Sequence, residues 1–115
     1  MAFEVINNLD TVQTMDRFIE KVRPPAELRD QLDISYRIEK QSVIIFEIRQ
    51  NYIHPGFKID SPIAKATFVK SDKVWKIYWM RADMKWHSYT PKPVVGELSV
   101  FLKTVEEDKH NCFWG

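Results

Sequence analysis

Cysteine, glycine and long apolar runs are all scarce in this chain of 115 residues. Its single cysteine, Cys112, excludes an internal disulfide framework. Three glycines, with no Gly/Ser-rich or acidic tract, exclude flexible linkers and low-complexity segments. The most apolar run, residues 43–46, is far shorter than the roughly 20 residues that a helix needs to cross a bilayer. We therefore expect no membrane partner.

The composition is that of an ordinary globular protein. Hydrophobic residues make up 44% of the chain and charged residues 29%, and a length of 115 residues suits one domain around one core. Residues 1–5 lack the basic start and the apolar core of a signal peptide, so we expect a cytoplasmic protein.

Charge is distributed unevenly along the chain. The net charge is only +1, which gives the whole molecule little attraction for nucleic acid or anionic membranes. Residues 62–92, however, contain seven Lys and Arg against two Asp and Glu, a local charge of +5. This basic middle third is where a binding surface is most worth seeking.

Apolar residues at three- and four-residue steps predict helices near both ends of the chain. The predicted helices span residues 9–22, 26–32 and 94–105. Asn7, Asn8 and Asp10 are the candidate N-caps of the first helix, which ends before Pro24 because proline disfavours helical geometry in the residue that precedes it.

Between the helices the apolar period changes to two, which is typical of half-buried strands. The predicted strands span residues 34–39, 43–52, 63–70, 73–81 and 85–89. Their short connections permit only antiparallel neighbours. The sequence therefore predicts an α+β domain, a five-stranded antiparallel meander sheet flanked by N-terminal helices and one C-terminal helix on one face.

Alternation along each strand predicts which side chains face the helices and which face solvent. The expected inward side chains are Ile44, Phe46, Ile48, Trp75, Ile77, Trp79 and Trp86, and the expected outward ones are Arg37, Arg49, Lys65, Lys76, Tyr78, Lys85 and Tyr89. Cations interleaved with aromatic rings are typical of surfaces that bind single-stranded nucleic acid. The leading hypothesis is a non-enzymatic binding module on this face. The alternative is a solvated charged face, since Glu39 and Glu47 lie among the cations.

Residues 81–89 concentrate polar side chains around a tight turn, namely Arg81, Asp83, Lys85, His87 and Tyr89. A carboxylate, an imidazole and two cations within reach of one another would suit acid–base chemistry in a small hydrolase or nuclease centred on Arg81, Asp83 and His87. Two alternatives stay open. Asp83 is a turn residue paired with Arg81 on an edge strand, or the segment extends the binding surface.

The last residues, 111–115, are unusually apolar and include Phe113 and Trp114. Such a tail either folds over the sheet or docks on a second copy of the chain, which makes a homodimeric interaction protein the second hypothesis. His110 and Cys112 lack the paired spacing of a metal site, so we expect neither a metal nor a cofactor.

Two sequence patterns are distinctive: W-x-x-x-W at Trp75 and Trp79, and R-A-D-x-K-W-H from Arg81 to His87. With residues 61–70 and the ending that includes Cys112-Phe113, they make the chain resemble a bacterial family of short proteins known as domain of unknown function 3024. The resemblance covers most of the chain. It implies a stand-alone bacterial domain, and it implies no substrate, cofactor or partner.

Overall fold

The computed structural model describes residues 8–114, so residues 1–7, which include the N-cap candidate Asn7, and Gly115 lie outside the described residues. In chain order it contains helix α1 (Leu9–Val22), a 3₁₀ turn (Ala26–Leu28), strands β1 (Leu32–Glu39), β2 (Ser42–Gln50), β3 (Lys58–Val69), β4 (Val74–Met80), β5 (Trp86–Ser88) and β6 (Val94–Val95), and helix α2 (Leu98–Glu107). The predicted α+β class and the five-stranded antiparallel meander are confirmed.

Strands β1 to β5 follow one another across the sheet, and β6 is added beside β5 because both pair with β4. Ile77 lies at the junction. Its carbonyl accepts from the Tyr89 amide at 2.9 Å, and its own amide donates to the Pro93 carbonyl at 2.9 Å. The chain from β5 to β6 thus acts as one edge strand that leaves the sheet at residues 90–92 and returns.

Helix α1 begins at Asn8, whose side chain accepts the Thr11 amide at 2.9 Å. This selects Asn8 from the candidate N-caps, since Asp10 lies within the first turn. The apolar stripe of the helix buries Met15 and Phe18. The apolar spacing and the N-cap therefore both fit the observed helix, which has the predicted bounds, residues 9–22.

Two predicted helix boundaries are wrong, and strand pairing explains both. The second helix is only the turn Ala26–Leu28, because Leu32 already pairs with Arg49 in the sheet. The last helix begins at Leu98 rather than at residue 94, because Val95 pairs with Trp75 in β6. In each case a residue that fits an apolar helical stripe lies in the sheet instead.

Both helices cover the same face of the sheet, as predicted. The buried side chains of α1 and α2 meet those of all the strands except β5 in one cluster. Its fully buried members include Met15, Val43, Ile45, Ala64, Ala66, Phe101 and Val105. Burial of this cluster supplies the main stabilisation of the fold.

Strand β2 has the opposite phase to the predicted one. Val43 and Ile45 face the helices, and neither has any exposed surface, whereas Ile44 and Phe46 lie on the other side of the sheet. The alternation was ambiguous because residues 43–46 are all apolar. The register decides it, since Ile45 pairs with Tyr36 and Ala64, and both of these pack into the core.

The β2–β3 hairpin is longer than predicted on its β3 side. Strand β2 ends at Gln50 rather than at residue 52, and β3 begins at Lys58 rather than at residue 63. A register shift between Ile45 and Phe46 leaves Ile63 without a partner on β2, so that this residue also packs into the core. Such a bulge accommodates one extra residue and increases the local twist.

The tail folds back onto its own domain, which is the first of the two predicted arrangements. Asp108 follows α2 in the left-handed conformation, and its carboxylate accepts the amides of Cys112, Phe113 and Trp114 at 2.9–3.1 Å. Phe113 is 4% exposed and packs on Tyr89 with ring centres 4.8 Å apart. The indole of Trp114 donates to the Val105 carbonyl at 2.9 Å.

Over residues 8–114, no helix combines the length and the apolar character needed to cross a membrane. Within the same residues, no three His, Cys, Asp or Glu side chains come together as a group that could hold a metal ion.

Candidate functional site

The side of the sheet turned away from both helices is called the open face below. Cross-strand register places these side chains on it: Arg37, Ile44, Phe46, Lys65, Lys76, Tyr78, Met80 and Trp86. Ile44 and Phe46 are only 5% and 8% exposed although no described helix covers them. Their own neighbours on the open face cover them, so this face has a small apolar centre with cations around it.

Lys65 lies at the centre of the open face. Its Nζ atom is 5.0 Å from the ring centre of Tyr78, which is its partner on β4, and 5.0 Å from that of Trp86. Burial lowers the pKa of the Lys65 ammonium, and the carboxylate of Glu39 opposes that effect in part. The two rings and the half-buried cation hold one another in place by cation–π attraction.

Two further cations flank this centre. The Arg37 guanidinium lies 5.2 Å from the ring centre of Phe46 and forms an ion pair of 3.3 Å with Glu39. Lys76 lies on the same side of β4 as Tyr78 and is exposed to solvent. Of the predicted binding residues, the structure thus brings Lys65, Lys76 and Tyr78 together on one face.

A groove of about 360 Å³ runs across the edge of this centre. Its lining residues are Glu39, Lys40, Ser42, Ile44, Lys65 and Trp86. The lining combines the apolar side chain of Ile44, the Trp86 ring, two lysines and one carboxylate. The groove therefore offers both charged and apolar contacts to a ligand.

Two predicted members of the surface lie elsewhere, because their strands have the opposite phase. Arg49 lies on the helix-covered side, beyond the helices, where it donates to Glu47 at 3.0 Å. Tyr89 is 2% exposed and belongs to the core, where it packs on Phe113. Trp86, which was expected in the core, takes the position on the open face that was predicted for Tyr89.

The β4–β5 turn carries the other predicted residues, and most of these face the helix side. His87 pairs with Trp79, and the Arg81 guanidinium lies 5.5 Å from the Trp79 ring centre. Asp83 joins His87 directly, with 2.8 Å between Oδ2 and Nε2. Lys85 contributes its backbone amide to Asp83 Oδ1 at 2.9 Å, and its side chain is exposed.

The Asp83–His87 pair is a contact across the β4–β5 turn that joins two groups able to take part in acid–base chemistry. Hydrogen bonds from His87 and from the Lys85 amide hold the pKa of the Asp83 carboxyl below its usual value. The Asp83 carboxylate orients the imidazole through Nε2. Both side chains are partly open to water, with 34% of His87 and 47% of Asp83 exposed, so the pair is not enclosed.

The residues that sequence reasoning missed on the open face are aromatic. Alternation assigned both to the core, Phe46 because it alternates with Glu47 and Trp86 because it has the opposite parity to His87. One signal could have corrected Trp86. In the antiparallel hairpin around Asp83, Trp86 pairs with Met80, which alternates with the inward Trp79 and therefore lies on the outward side.

Comparison with known proteins gives one match. A family model described as Domain of unknown function (DUF3024) matches residues 3–115. No curated protein and no solved structure matches the chain. Because the family model covers nearly the whole sequence, the chain belongs to the DUF3024 family.

Proposed function

We propose that this domain is a binding module that holds single-stranded nucleic acid against its open face. The observation that carries the proposal is the position of Lys65, whose ammonium lies 5.0 Å from two aromatic rings on a sheet face away from both helices. An unpaired strand needs cations for its phosphates and rings for its bases, and this face offers both.

Binding would exchange partners at Lys65. A base that stacks on Trp86 would displace the ammonium from the ring, and the ammonium would then pair with a neighbouring phosphate. Burial lowers the pKa of the Lys65 ammonium, and the carboxylate of Glu39 compensates only in part. A phosphate supplies the full opposite charge that the rings lack, so the exchange favours the bound state.

The other cations of the open face set the expected binding mode. Lys76 lies on β4, next to the strand of Lys65, and Arg37 lies on β1, two strands away on the other side, so the three cations form a row across the sheet that suits a chain of successive phosphates. Contacts to phosphates and to ring faces carry little base information. We therefore expect weak sequence preference and a preference for single strands over duplex.

The experiment is fluorescence anisotropy with a labelled, mixed-sequence single-stranded oligonucleotide. For three contacted phosphates, log Kd should change with log salt with a slope of about 2 between about 50 mM and about 200 mM salt. Lys76→Gln and Lys65→Gln should each weaken binding roughly two- to fivefold. Trp86→Ala should weaken it further, because stacking is worth about 1–3 kcal/mol per base.

Arg49→Gln is the matched control. It removes one exposed cation as Lys76→Gln does, but on the other side of the sheet. If Arg49→Gln weakens binding as much as Lys76→Gln, the attraction is general and the open face is not the site. Affinity that does not change with salt would also exclude phosphate neutralisation as its source.

A small hydrolase or nuclease is the second candidate, and the contact of 2.8 Å between Asp83 and His87 favours it. In that role His87 would act as the general base or acid, Asp83 would orient it, and Arg81 would contact an anionic substrate. The oligonucleotide itself tests this candidate. Cleavage that is lost in both His87→Asn and Asp83→Asn would support it, and an intact oligonucleotide after long incubation would count against it.

A homodimeric interaction protein has less support. The apolar tail was the expected interface, and Phe113 is instead 4% exposed within its own domain. The outer edge of β1 is one surface open to such a dimer. Light scattering on a sizing column separates this candidate from the others. We further propose that the module acts in a bacterial cytoplasm, where Cys112 stays a free thiol.

A further inference from the structure

The turn that joins β2 to β3 carries the two most exposed large apolar side chains within residues 8–114. Tyr52 is 91% exposed and Ile53 is 84% exposed, and Phe57 and Ile59 follow at 69% and 45%. Residues 51–59 are called the hairpin arm here. A single exposed apolar side chain is ordinary on a protein surface, but a contiguous group of them marks an interaction site.

The hairpin arm is an ordered turn that holds these side chains outward. The Asn51 carboxamide oxygen accepts the amides of Ile53 and His54 at 3.0 Å and 3.1 Å. The Asn51 amide donates to the Phe57 carbonyl at 3.0 Å, and the Phe57 amide donates to the His54 carbonyl at 3.2 Å. Gly56 has a φ of 94°, which glycine adopts without strain. Because these bonds fix the backbone, docking of the arm costs little conformational entropy.

Part of the apolar surface of the hairpin arm lies on the helix side of the sheet, beyond the helices. The bond from the Asn51 amide to Phe57 continues the register that pairs Arg49 with Ile59, so Phe57 and Ile59 lie on the same side as Arg49. Leu32 is the partner of Arg49 on β1, and it also lines a neighbouring groove of about 430 Å³, called the Leu32 groove here. The apolar residues that line this groove are Val22, Leu32, Ile34 and Trp114.

The charge of the hairpin arm favours a protein partner over a phosphate-bearing one. Residues 47–60 contain two cations and two carboxylates, so their net charge is zero. Both cations are paired, since Arg49 donates to Glu47 at 3.0 Å and the Lys58 Nζ lies 3.4 Å from an Asp30 oxygen. Nucleic acids and anionic membranes bind through an excess of cations. Two neutral apolar surfaces associate by excluding water instead.

The exposed area of the hairpin arm suits a second copy of the same chain. Aromatic side chains bury roughly 150–250 Å² each and aliphatic ones somewhat less, so four side chains that are 45–91% exposed offer on the order of 500 Å² per copy. Two arms packed together therefore bury about 1,000 Å², which reaches the size of a specific interface. The Leu32 groove of each copy would add to this area.

We propose that the hairpin arm is the interface of a homodimer, in which the arms of two copies pack together across a two-fold axis and the tip of each lies over the Leu32 groove of the other. A two-fold axis presents the same neutral, apolar surface to both sides of the interface. The arm is distinct from the tail and from the outer edge of β1, and it contains none of Lys65, Tyr78 and Trp86. The inference therefore does not depend on nucleic-acid binding at the open face.

The test is sedimentation velocity of the full chain between about 5 µM and about 300 µM, because an interface of this size gives a dissociation constant on the order of micromolar. We expect the sedimentation coefficient to rise with concentration from the value of a monomer towards that of a dimer. Ile53→Ser and Phe57→Ser should each weaken the dimer at least about tenfold, since each removes an apolar anchor from the interface. On dilution of the parent, amide NMR shifts should change at Ile53, Phe57 and Ile59.

Leu9→Ser is the matched control. It removes an equally exposed apolar side chain, 71% against 69% for Phe57, but from the first turn of α1. It should leave dimerisation unchanged, and urea midpoints should show that all three variants stay folded. The proposal is overturned if the parent is monomeric at the highest concentration, if both arm variants dimerise as the parent does, or if Leu9→Ser weakens the dimer equally. A monomer that binds phosphatidylcholine vesicles, and loses this binding in Phe57→Ser, would overturn it by assigning the arm to a lipid surface.

Discussion

The carboxylate of Asp108 accepts the backbone amide of Trp114, six residues further along the chain, at 3.0 Å. The same carboxylate also accepts the amides of Cys112 and Phe113. One side chain thus fixes the whole path of the tail and seats Phe113 in the core. This contact leads to the first of four predictions.

Asp108→Ala should lower the free energy of unfolding by about 2–3 kcal/mol, because three amides lose an ionised acceptor. Residue 108 also has a φ of 41°, which alanine tolerates less well than aspartate or asparagine. Asp108→Asn should therefore cost less than Asp108→Ala. Urea denaturation gives the values, and Glu107→Ala is the control at the adjacent exposed position. A cost below about 0.5 kcal/mol for Asp108→Ala would mean that other packing holds the tail.

Which side of β2 faces the helices can be tested by measuring the free energy of unfolding of two alanine variants. Ile45→Ala should cost about 2–5 kcal/mol, because Ile45 has no exposed surface and lies beneath both helices. Ile48→Ala should cost clearly less, since Ile48 lies on the open face and is only half-buried. Thermal or urea unfolding of the two variants compares them directly. Equal costs would contradict the assigned phase.

Lowering the pH should remove the stabilisation that one ion pair at the edge of the sheet, Arg23–Asp33, gives to the folded state. Arg23 donates to both oxygens of Asp33, at 3.1 Å and 2.6 Å, and this holds the pKa of the Asp33 carboxyl below 3.8. A lowered folded-state pKa stabilises the protein above the unfolded-state pKa, and that contribution is lost as the pH falls through the folded-state value. The free energy of unfolding of the parent should therefore fall between about pH 5 and about pH 2.

Asp33→Asn should flatten that fall, since asparagine cannot take up the proton. Asp72→Asn, in the exposed β3–β4 turn, is the control and should leave the pH profile as in the parent. Urea midpoints measured across the pH range give the comparison. Parallel profiles for the parent and Asp33→Asn would show that the pair does not couple folding to protons.

Lys65→Met should separate stability from binding. It removes a cation–π attraction together with the cost of burying a charge, so the free energy of unfolding should change by less than about 1 kcal/mol. Oligonucleotide affinity should nevertheless fall, because the central cation of the open face is gone. Lys103→Met, on α2, is the control for both measurements. A loss of more than about 2 kcal/mol would assign Lys65 a structural role.

The sequence predicted the elements of the fold much better than the faces of its strands. In β4, Trp75, Ile77 and Trp79 alternate with Lys76 between them, and this period identified the buried side correctly. In β2 the four apolar residues 43–46 satisfy either phase, so only the pairing of Ile45 with its neighbours decides. A strand that is apolar on both faces carries no phase information.

The candidate site was recovered in part for the same reason. Lys65, Lys76 and Tyr78 belong to strands with a clear polar alternation, and all three were placed correctly. Strand β5 is only three residues long. Trp86 at its start and Tyr89 just after its end are both aromatic but lie on opposite faces of the sheet. Its assignment depends on where the edge strand leaves β4, a long-range feature that local spacing does not contain.

The packing of α1 against α2 has a consequence for synthesis in the cell. Helix α1 is made before the strands, yet it buries Met15 and Phe18 against a cluster that includes Phe101 and Val105, which are made after them. The local hairpins of the meander can form early, but the layer that covers them cannot. A nascent chain therefore exposes one apolar side of its sheet until residue 113 has emerged, and chaperones would have that interval in which to bind it.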